Sequence, residues 1–234
     1  MSAFCVVSSE VGCEVTERLR ETFSEVFALP PDPSIAVPVA THPDMLLSEL
    51  DGLLFLPRSY YMANTELIES IADMGGLTVC PTEVDRCARY PYDVSFNVAV
   101  WRDSVICRTA STCPELLSAA RERGYRIVSV KQGYAGCSCL VTNEAVLTFD
   151  RGIAETLTRY DIPCVLAKDG GVALPGYDCG FLGGACGFFD GDIYIFGNAD
   201  TLPCADTLRR YGRVISLSNS AVTDCGGIKI FIKR

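Results

Sequence analysis

A strand–turn–strand unit that returns along the chain constrains this sequence more than any other feature. Asn97-Val98-Ala99-Val100-Trp101 and Val105-Ile106-Cys107 are apolar runs joined by the polar Arg102-Asp103-Ser104. The plan returns from Cys139 to Leu147 around Thr142-Asn143-Glu144, and from Cys186 to Ile195 around Asp190-Gly191. An Asp-Gly pair between apolar runs is the strongest short hairpin signal. Asn97 and Cys139 are 42 positions apart, and Cys139 and Cys186 are 47 apart. A period of this size belongs to arrays and rings, where each unit needs a neighbour to cover its apolar face.

Each hairpin is followed by a short amphipathic helix and a third strand. Pro114 opens the first helix, Leu116, Leu117 and Ala120 face inward, and Gly124 ends it before Ile127-Val128-Ser129-Val130. Asp150 caps the next, with Ile153 and Leu157 inward and Cys164-Val165-Leu166 beyond Pro163. The third starts near Pro203, buries Ala205 and Leu208, and is expected to run to Gly212 before Val214-Ile215-Ser216-Leu217. A fourth unit has a strand at Gly52–Pro57, a helix at Thr65–Met74 and a strand at Leu77–Cys80. The fifth is split across the ends of the chain. The final strand, Gly227–Ile232, has no helix after it, whereas Phe4-Cys5-Val6-Val7 precedes Val15, Leu19, Phe23 and Val26 at helical spacing. Pairing these two strands covers two edges at once. The loop-like stretches 29–34, 81–93 and 167–184 only join units, so residues 1–234 read as a single domain. The expected class is α/β: a five-bladed propeller of ββαβ units closed by the N- and C-terminal strands.

Bulk composition excludes several kinds of partner. Net charge is -9 and no run of Lys or Arg exceeds two residues, which argues against nucleic acid as the main ligand. No apolar stretch is long enough to cross a bilayer, so no membrane partner is expected. The first residues, Met1-Ser2-Ala3-Phe4, lack a basic leader and meet Glu10 early, which predicts a cytoplasmic protein. Thirteen cysteines without a Cys-x-x-Cys pair, beside the lone His42, predict neither a metal site nor a cofactor. Most of these cysteines read as small hydrophobes. The oligomeric state is open.

A ring of five such units resembles the pentein fold, shared by guanidino-group-modifying enzymes and the archaeal/eukaryotic ribosome anti-association factor. Gly52-Leu53-Leu54-Phe55-Leu56-Pro57 followed by Thr65-Glu66-Leu67 is similar to one blade of that factor. Four stretches are similar to an uncharacterised bacterial family of the guanidino-enzyme fold. They are Tyr90-Pro91-Tyr92-Asp93, Lys131-Gln132-Gly133-Tyr134-Ala135-Gly136-Cys137-Ser138, Gly180-Phe181-Leu182-Gly183-Gly184-Ala185 and Thr223-Asp224-Cys225-Gly226-Gly227. The resemblance implies a cysteine nucleophile after a Gly-Gly pair in the last blade and a histidine opening a strand of the fourth. Here Gly226-Gly227 leads to Ile228 and Lys229, and the fourth-blade stretch reads Gly183-Gly184-Ala185-Cys186. Both essential positions depart from the pattern.

The segments that lead into the first strands of a ring converge on one mouth of its axis. They bring together Cys137, Asp93 and His42 as candidate catalytic groups. Asn97, Lys131, Gln132, Gly183, Gly184, Asp224 and Cys225 are the candidate ligand contacts. A thiolate, a proton carrier and carboxylates in one pocket suit a small polar or cationic metabolite, amino-acid-like or guanidino in character. Any catalysis would be hydrolase or transferase chemistry of an unusual kind, and whether the protein is an enzyme is open. Each residue also has a plainer role: Asp93 and Asp224 as turn caps, His42 as a loop histidine, Cys137 as a buried thiol. A second reading is a non-catalytic binding factor like the ribosome-associated pentein. It expects an exposed interaction face and no organised polar pocket.

Overall fold

The computed structural model describes residues 2–84 and 86–234. Among them fifteen strands form five sheets of three. The first sheet holds β1 (Ala3–Ser8), β2 (Val26–Leu29) and β15 (Lys229–Ile232), with α1 (Cys13–Arg20) crossing from β1 to β2. The second follows a one-turn helix, α2 (Pro43–Leu46), and contains β3 (Ser48–Leu50), β4 (Leu53–Pro57) and β5 (Thr78–Thr82), with α3 (Arg58–Ala63) and α4 (Thr65–Gly75) between the last two. The third is β6 (Ala99–Trp101), β7 (Ser104–Cys107), α5 (Pro114–Glu122) and β8 (Arg126–Ser129). The fourth opens on α6 (Ala135–Ser138), then β9 (Cys139–Val141), β10 (Val146–Thr148), α7 (Arg151–Arg159) and β11 (Cys164–Leu166). The fifth is β12 (Cys186–Phe189), β13 (Asp192–Ile195), α8 (Ala205–Leu208) and β14 (Arg213–Ser216).

One rule builds every sheet. The central strand pairs antiparallel with the edge strand on one side and parallel with the strand that follows its helix on the other. In the first sheet the antiparallel partner comes from the far end of the chain: Ala3 faces Ile232 and Phe4 faces Phe231. The Phe4 and Phe231 rings stack at 5.3 Å between centroids, so the pairing is fixed by side chains as well as by the ladder. The expected union of the two termini in one sheet is therefore present.

The turn chemistry follows the sequence closely. Asp190 and Gly191 both have positive φ, at 50° and 85°, which a two-residue hairpin turn of this hand requires. Asp51 and Gly52, at 51° and 81°, make the same turn between β3 and β4. That second Asp-Gly marks a further hairpin strand, Ser48–Leu50, ahead of the strand expected at Gly52–Pro57. The Asp150 carboxylate caps α7 by accepting the Ile153 amide at 2.8 Å.

Two helices are shorter than their apolar spacing suggested. α1 stops at Arg20, because the Ser24 amide and hydroxyl both turn back to donate to the Ala3 carbonyl, at 2.8 and 3.1 Å. Phe23 then packs from a turn, and Val26 starts β2 rather than extending the helix. α8 ends at Leu208, before Gly212. That glycine is needed for packing instead, since a Cβ there would stand 2.8 Å from the Gly191 carbonyl oxygen.

β3, β6, β9, β12 and β15 are all edge strands of their sheets, and residues of all five line one cavity of about 370 Å³. β6 lies against β9, β9 against β12, and β12 against β15. Their unpaired main-chain edges give this channel its polar wall. Apolar side chains on the two faces of each sheet fill the spaces between neighbouring sheets.

Candidate functional site

The segments leading into the five first strands meet at one end of the channel and close it with a polar floor. α2 brings Asp44 and, just before it, His42; the approach to β6 brings Asn97; α6 brings Cys137; the turn at Gly183–Ala185 brings two glycines; the approach to β15 brings Asp224 and Gly226. Asn97 is the organiser. Its amide oxygen accepts the Cys137 N–H at 3.1 Å, while its Nδ2 donates to the Cys137 Sγ at 2.8 Å and to the Asp44 carbonyl at 3.2 Å. Asp224 is fixed by main chain: Oδ2 accepts the Phe181 N–H at 2.9 Å and Oδ1 the Gly226 N–H at 3.0 Å. The His42 Nδ1 lies 3.7 Å from Asp224 Oδ1.

Glycine is required at several of these positions. A side chain on Gly184 would collide with the Asp224 carboxylate, one on Gly183 with the Cys137 and Cys139 carbonyls, and one on Gly226 with His42. Gly226 also has φ of 79°, which side-chain-bearing residues avoid. Gly183 and Gly184 thus serve the floor by letting Asp224 and Cys137 approach, with no contact of their own to offer beyond main chain.

The electrostatics are one-sided. Asp44 is 3% exposed, and no N–H or O–H donates to either of its carboxylate oxygens, which face the Cys137 thiol. Asp224 is 2% exposed, and its pKa is raised from 3.8 to about 7, by burial first and by the Asp44 charge second. Burial also lowers the pKa of His42, outweighing the pull of Asp44 and Glu10, so the imidazole is neutral. Among the described residues no Lys or Arg pairs with either carboxylate.

Loop-side of the floor is a cavity of about 240 Å³. His42, Cys137 and Asp224 form its base, and Met45, Tyr134, Phe181 and Tyr177 its walls. The aromatic wall is continuous, with Tyr134 5.4 Å from Tyr90 and 5.7 Å from Phe181 between ring centroids. Asp93 reaches this cavity only through Tyr134, whose hydroxyl donates to Asp93 Oδ2 at 2.8 Å. Behind it, the buried Arg86 pairs with Asp32 at 2.9 Å and donates to the Met45 and Asp93 carbonyls. That guanidinium ties the segments carrying Asp44 and Asp93 together.

The structure divides the sequence candidates into groups. His42, Asn97, Cys137, Gly183, Gly184 and Asp224 converge on the floor. Lys131 and Gln132 do not: they line a separate surface groove with Asp150, Glu155 and Arg159, where the Gln132 amide is 3.4 Å from Asp150. The Cys225 side chain turns away into the core beside α1, and burial, then the charge of Asp224, pushes its thiol up to about 12. Cys137 is held far above the ordinary thiol range by burial and by Asp44 and Asp224. These surroundings favour the thiol over the thiolate. Asp44 joins the floor from the same His42-Pro43-Asp44 stretch, at the start of the lead-in helix α2.

A family profile described as a family of unknown function, DUF6873, matches residues 6–229. The chain belongs to that family. No match was found among curated proteins. Among solved structures it is similar to DDAH from Pseudomonas aeruginosa, a cysteine-to-serine mutant complexed with citrulline. The TM-score is 0.52 at 11% identity, covering 93% of this chain and 92% of that one. It is also similar to a dimethylarginine dimethylaminohydrolase with a histidine-to-glycine change, an adduct with S-methyl-L-thiocitrulline. There the TM-score is 0.55 at 11% identity, covering 93% of each chain. At that identity the likeness establishes the fold, which is the pentein fold of the guanidino-modifying enzymes. The two positions where the resemblance expects a reacting cysteine and histidine carry neither. Ile228 follows the Gly226-Gly227 pair and packs over Gly187, and Gly184 leaves its space to Asp224.

Proposed function

We propose that this family member is a closed five-bladed pentein that binds a small organic cation with an apolar body. The cationic head meets Asp224, with the Asp44 charge behind it, and the body lies against Tyr134, Tyr177 and Phe181. One observation carries the reading: two buried carboxylates share a floor with a neutral histidine and no side-chain cation among the described residues. Such a pair is costly unless a positive charge or a proton joins it. Mostly apolar walls favour an organic ion over a hydrated metal, since aromatic faces attract cations that are already weakly solvated. A relative of the same fold holds citrulline, which is in keeping with a metabolite-sized ligand.

Binding is the core of this reading, and turnover through Cys137 is not part of it, because the thiol is protonated and the neighbouring histidine is neutral. The non-catalytic binding-factor alternative expects no organised polar pocket, so the floor favours the small-molecule reading. Cysteines serve as core residues in four of the five sheets, as Cys5, Cys107, Cys139 and Cys186, and this use of free thiols supports a cytoplasmic setting.

A thermal-shift series tests the proposal with butylguanidinium, butylammonium and butyltrimethylammonium, and with butanol as the neutral match. At least one cation should raise the melting temperature, butanol should not, and Asp224→Asn should remove the difference. Equal effects of the cations and butanol, or a cation effect that survives in Asp224→Asn, would overturn it.

A further inference from the structure

The channel on the strand side of the floor is chemically distinct from the loop-side pocket. Its charged lining residues are Asp44, Glu49 and Lys229, and neither His42, Cys137 nor Asp224 lines it. Glu49 is committed to its own hairpin, where Oε1 accepts the Gly52 amide at 2.7 Å. Lys229 makes no ion pair within 4.0 Å among the described residues. Asp44 therefore lines the channel as a buried carboxylate that meets no cation and no N–H or O–H donor, while the Cys137 thiol faces it from the floor. A buried charge in that condition calls for a counter-charge.

The rest of the wall says what kind. No group of three or more His, Cys, Asp or Glu side chains among the described residues is arranged to hold a metal. The edge strands β3, β6, β9, β12 and β15 turn unpaired main-chain groups, carbonyl oxygens among them, toward the channel. A single carboxylate beside main-chain carbonyl oxygens suits hard cations of low charge.

We propose that the axial channel is a site for a small monovalent cation (potassium, sodium or ammonium) bound at Asp44 on the strand side of the floor. This site is separate from the pocket for the organic cation. The cation meets Asp44 from one side, and the organic head meets Asp224 from the other.

The test is the melting temperature of the intact protein in potassium, sodium, ammonium and choline chlorides at equal ionic strength. One of the three small cations should raise it above the choline value by about 3–5 °C if present at roughly ten times its dissociation constant. Asp44→Asn should melt at one temperature in all four salts, while Asp224→Asn should keep the salt difference. That last variant separates failure of this proposal from failure of the pocket reading. Should Asp44→Asn not fold, crystals of the unaltered protein grown with rubidium chloride carry the test, with an anomalous peak expected beside Asp44. Equal melting in all four salts, or no rubidium in the channel, overturns the proposal. So does a loss of stability in Lys229→Met with no salt specificity in the parent, which would make Lys229 the counter-ion.

Discussion

Lys131 and Cys137 lie six positions apart on one lead-in segment, yet they end in opposite surroundings. Lys131 is exposed in a surface groove, while Cys137 is sealed in the floor between two carboxylates. Between them the chain turns beneath Tyr90 at Gly133, where a Cβ would stand 2.6 Å from the ring, and then descends through α6. The same division recurs in the other sheets. Asp44, Asn97, Cys137, Gly184 and Asp224 reach the floor from two to five positions before a first strand and His42 from six, whereas Asp93, also six back, stays behind Tyr134. Convergence on the floor thus depends on how each segment turns into its strand and not on the whole segment. Perturbations at the floor should be large and tied to charge, and those in the groove small.

The largest effect should come from Gly184→Ala. The added methyl meets the Asp224 carboxylate, which cannot withdraw because the Phe181 and Gly226 amides hold both of its oxygens. A loss of about 4 kcal/mol or more is expected, at the upper end for point substitutions. Chemical denaturation checks it. Gly152→Ala, in the groove, makes the contrast: its Cβ would stand 3.2 Å from Asp150 Oδ1 in a helix, so its effect should stay below about 1 kcal/mol. Comparable losses at the two glycines would erase the distinction between the regions.

The next effect is electrostatic, and its sign runs against intuition. Asp224 has its pKa raised to about 7 in the folded protein, so the native state keeps a proton that the unfolded chain releases near pH 4. Unfolded protein binds fewer protons across that window, so stability falls as pH rises from 4 to 7 and is level above it. Three pH units correspond to on the order of 3–4 kcal/mol. His42 works the other way, because its lowered pKa costs stability as pH falls below about 6.5. Asp224→Asn should remove the Asp224 share, leaving the variant more stable than the parent at pH 8 and closer to it at pH 5. Parallel pH profiles for the two proteins would show that Asp224 is ordinary.

A smaller effect separates the thiols. Exposed Cys13, Cys87 and Cys179 should react quickly with a maleimide under native conditions, whereas Cys137, Cys139 and Cys186 should be labelled only on unfolding. Cys137→Ala deprives Asn97 of one of its contacts and should cost about 1–2 kcal/mol, while Cys137→Ser should cost less by keeping an acceptor. Rapid native labelling of Cys137 would mean that the floor opens, and would return that thiol to the list of nucleophiles.

Much of the fold was legible in the chain because hairpin turns and helix stops are local. Asp190-Gly191, Gly124 and Asp150 each act within a few residues, and the structure uses them as their chemistry dictates. The strand at Ser48–Leu50 was marked by Asp51-Gly52 in the same way, but its three residues are too few to show a period. α1 was over-extended because Phe23 and Val26 keep helical spacing while serving a turn and a strand, a choice made by β1 and not by sequence neighbours. The floor was only half legible for a related reason. Which lead-in residues face the axis depends on where each segment turns downward, and Gly133 and Tyr90 decide that through a contact 43 positions apart.

The smallest expected effect is the one that most directly separates the two regions. Lys131 makes no ion pair among the described residues and stands exposed beside Gln132 and Arg159. Replacing it removes a solvated charge and little packing, so Lys131→Ala should change stability by less than about 0.5 kcal/mol. It should also leave the response to butylguanidinium or any other bound cation unaltered, since the groove shares no lining residue with the loop-side cavity. At most it should tighten cation binding slightly at low ionic strength, by removing one positive charge from the protein's field, and that gain should fade with added salt. A several-fold loss of cation binding in Lys131→Ala that persists at high salt would place the residue in the pocket after all. The lead-in segment carrying it would then have to move on binding, and the floor and the groove would form one site.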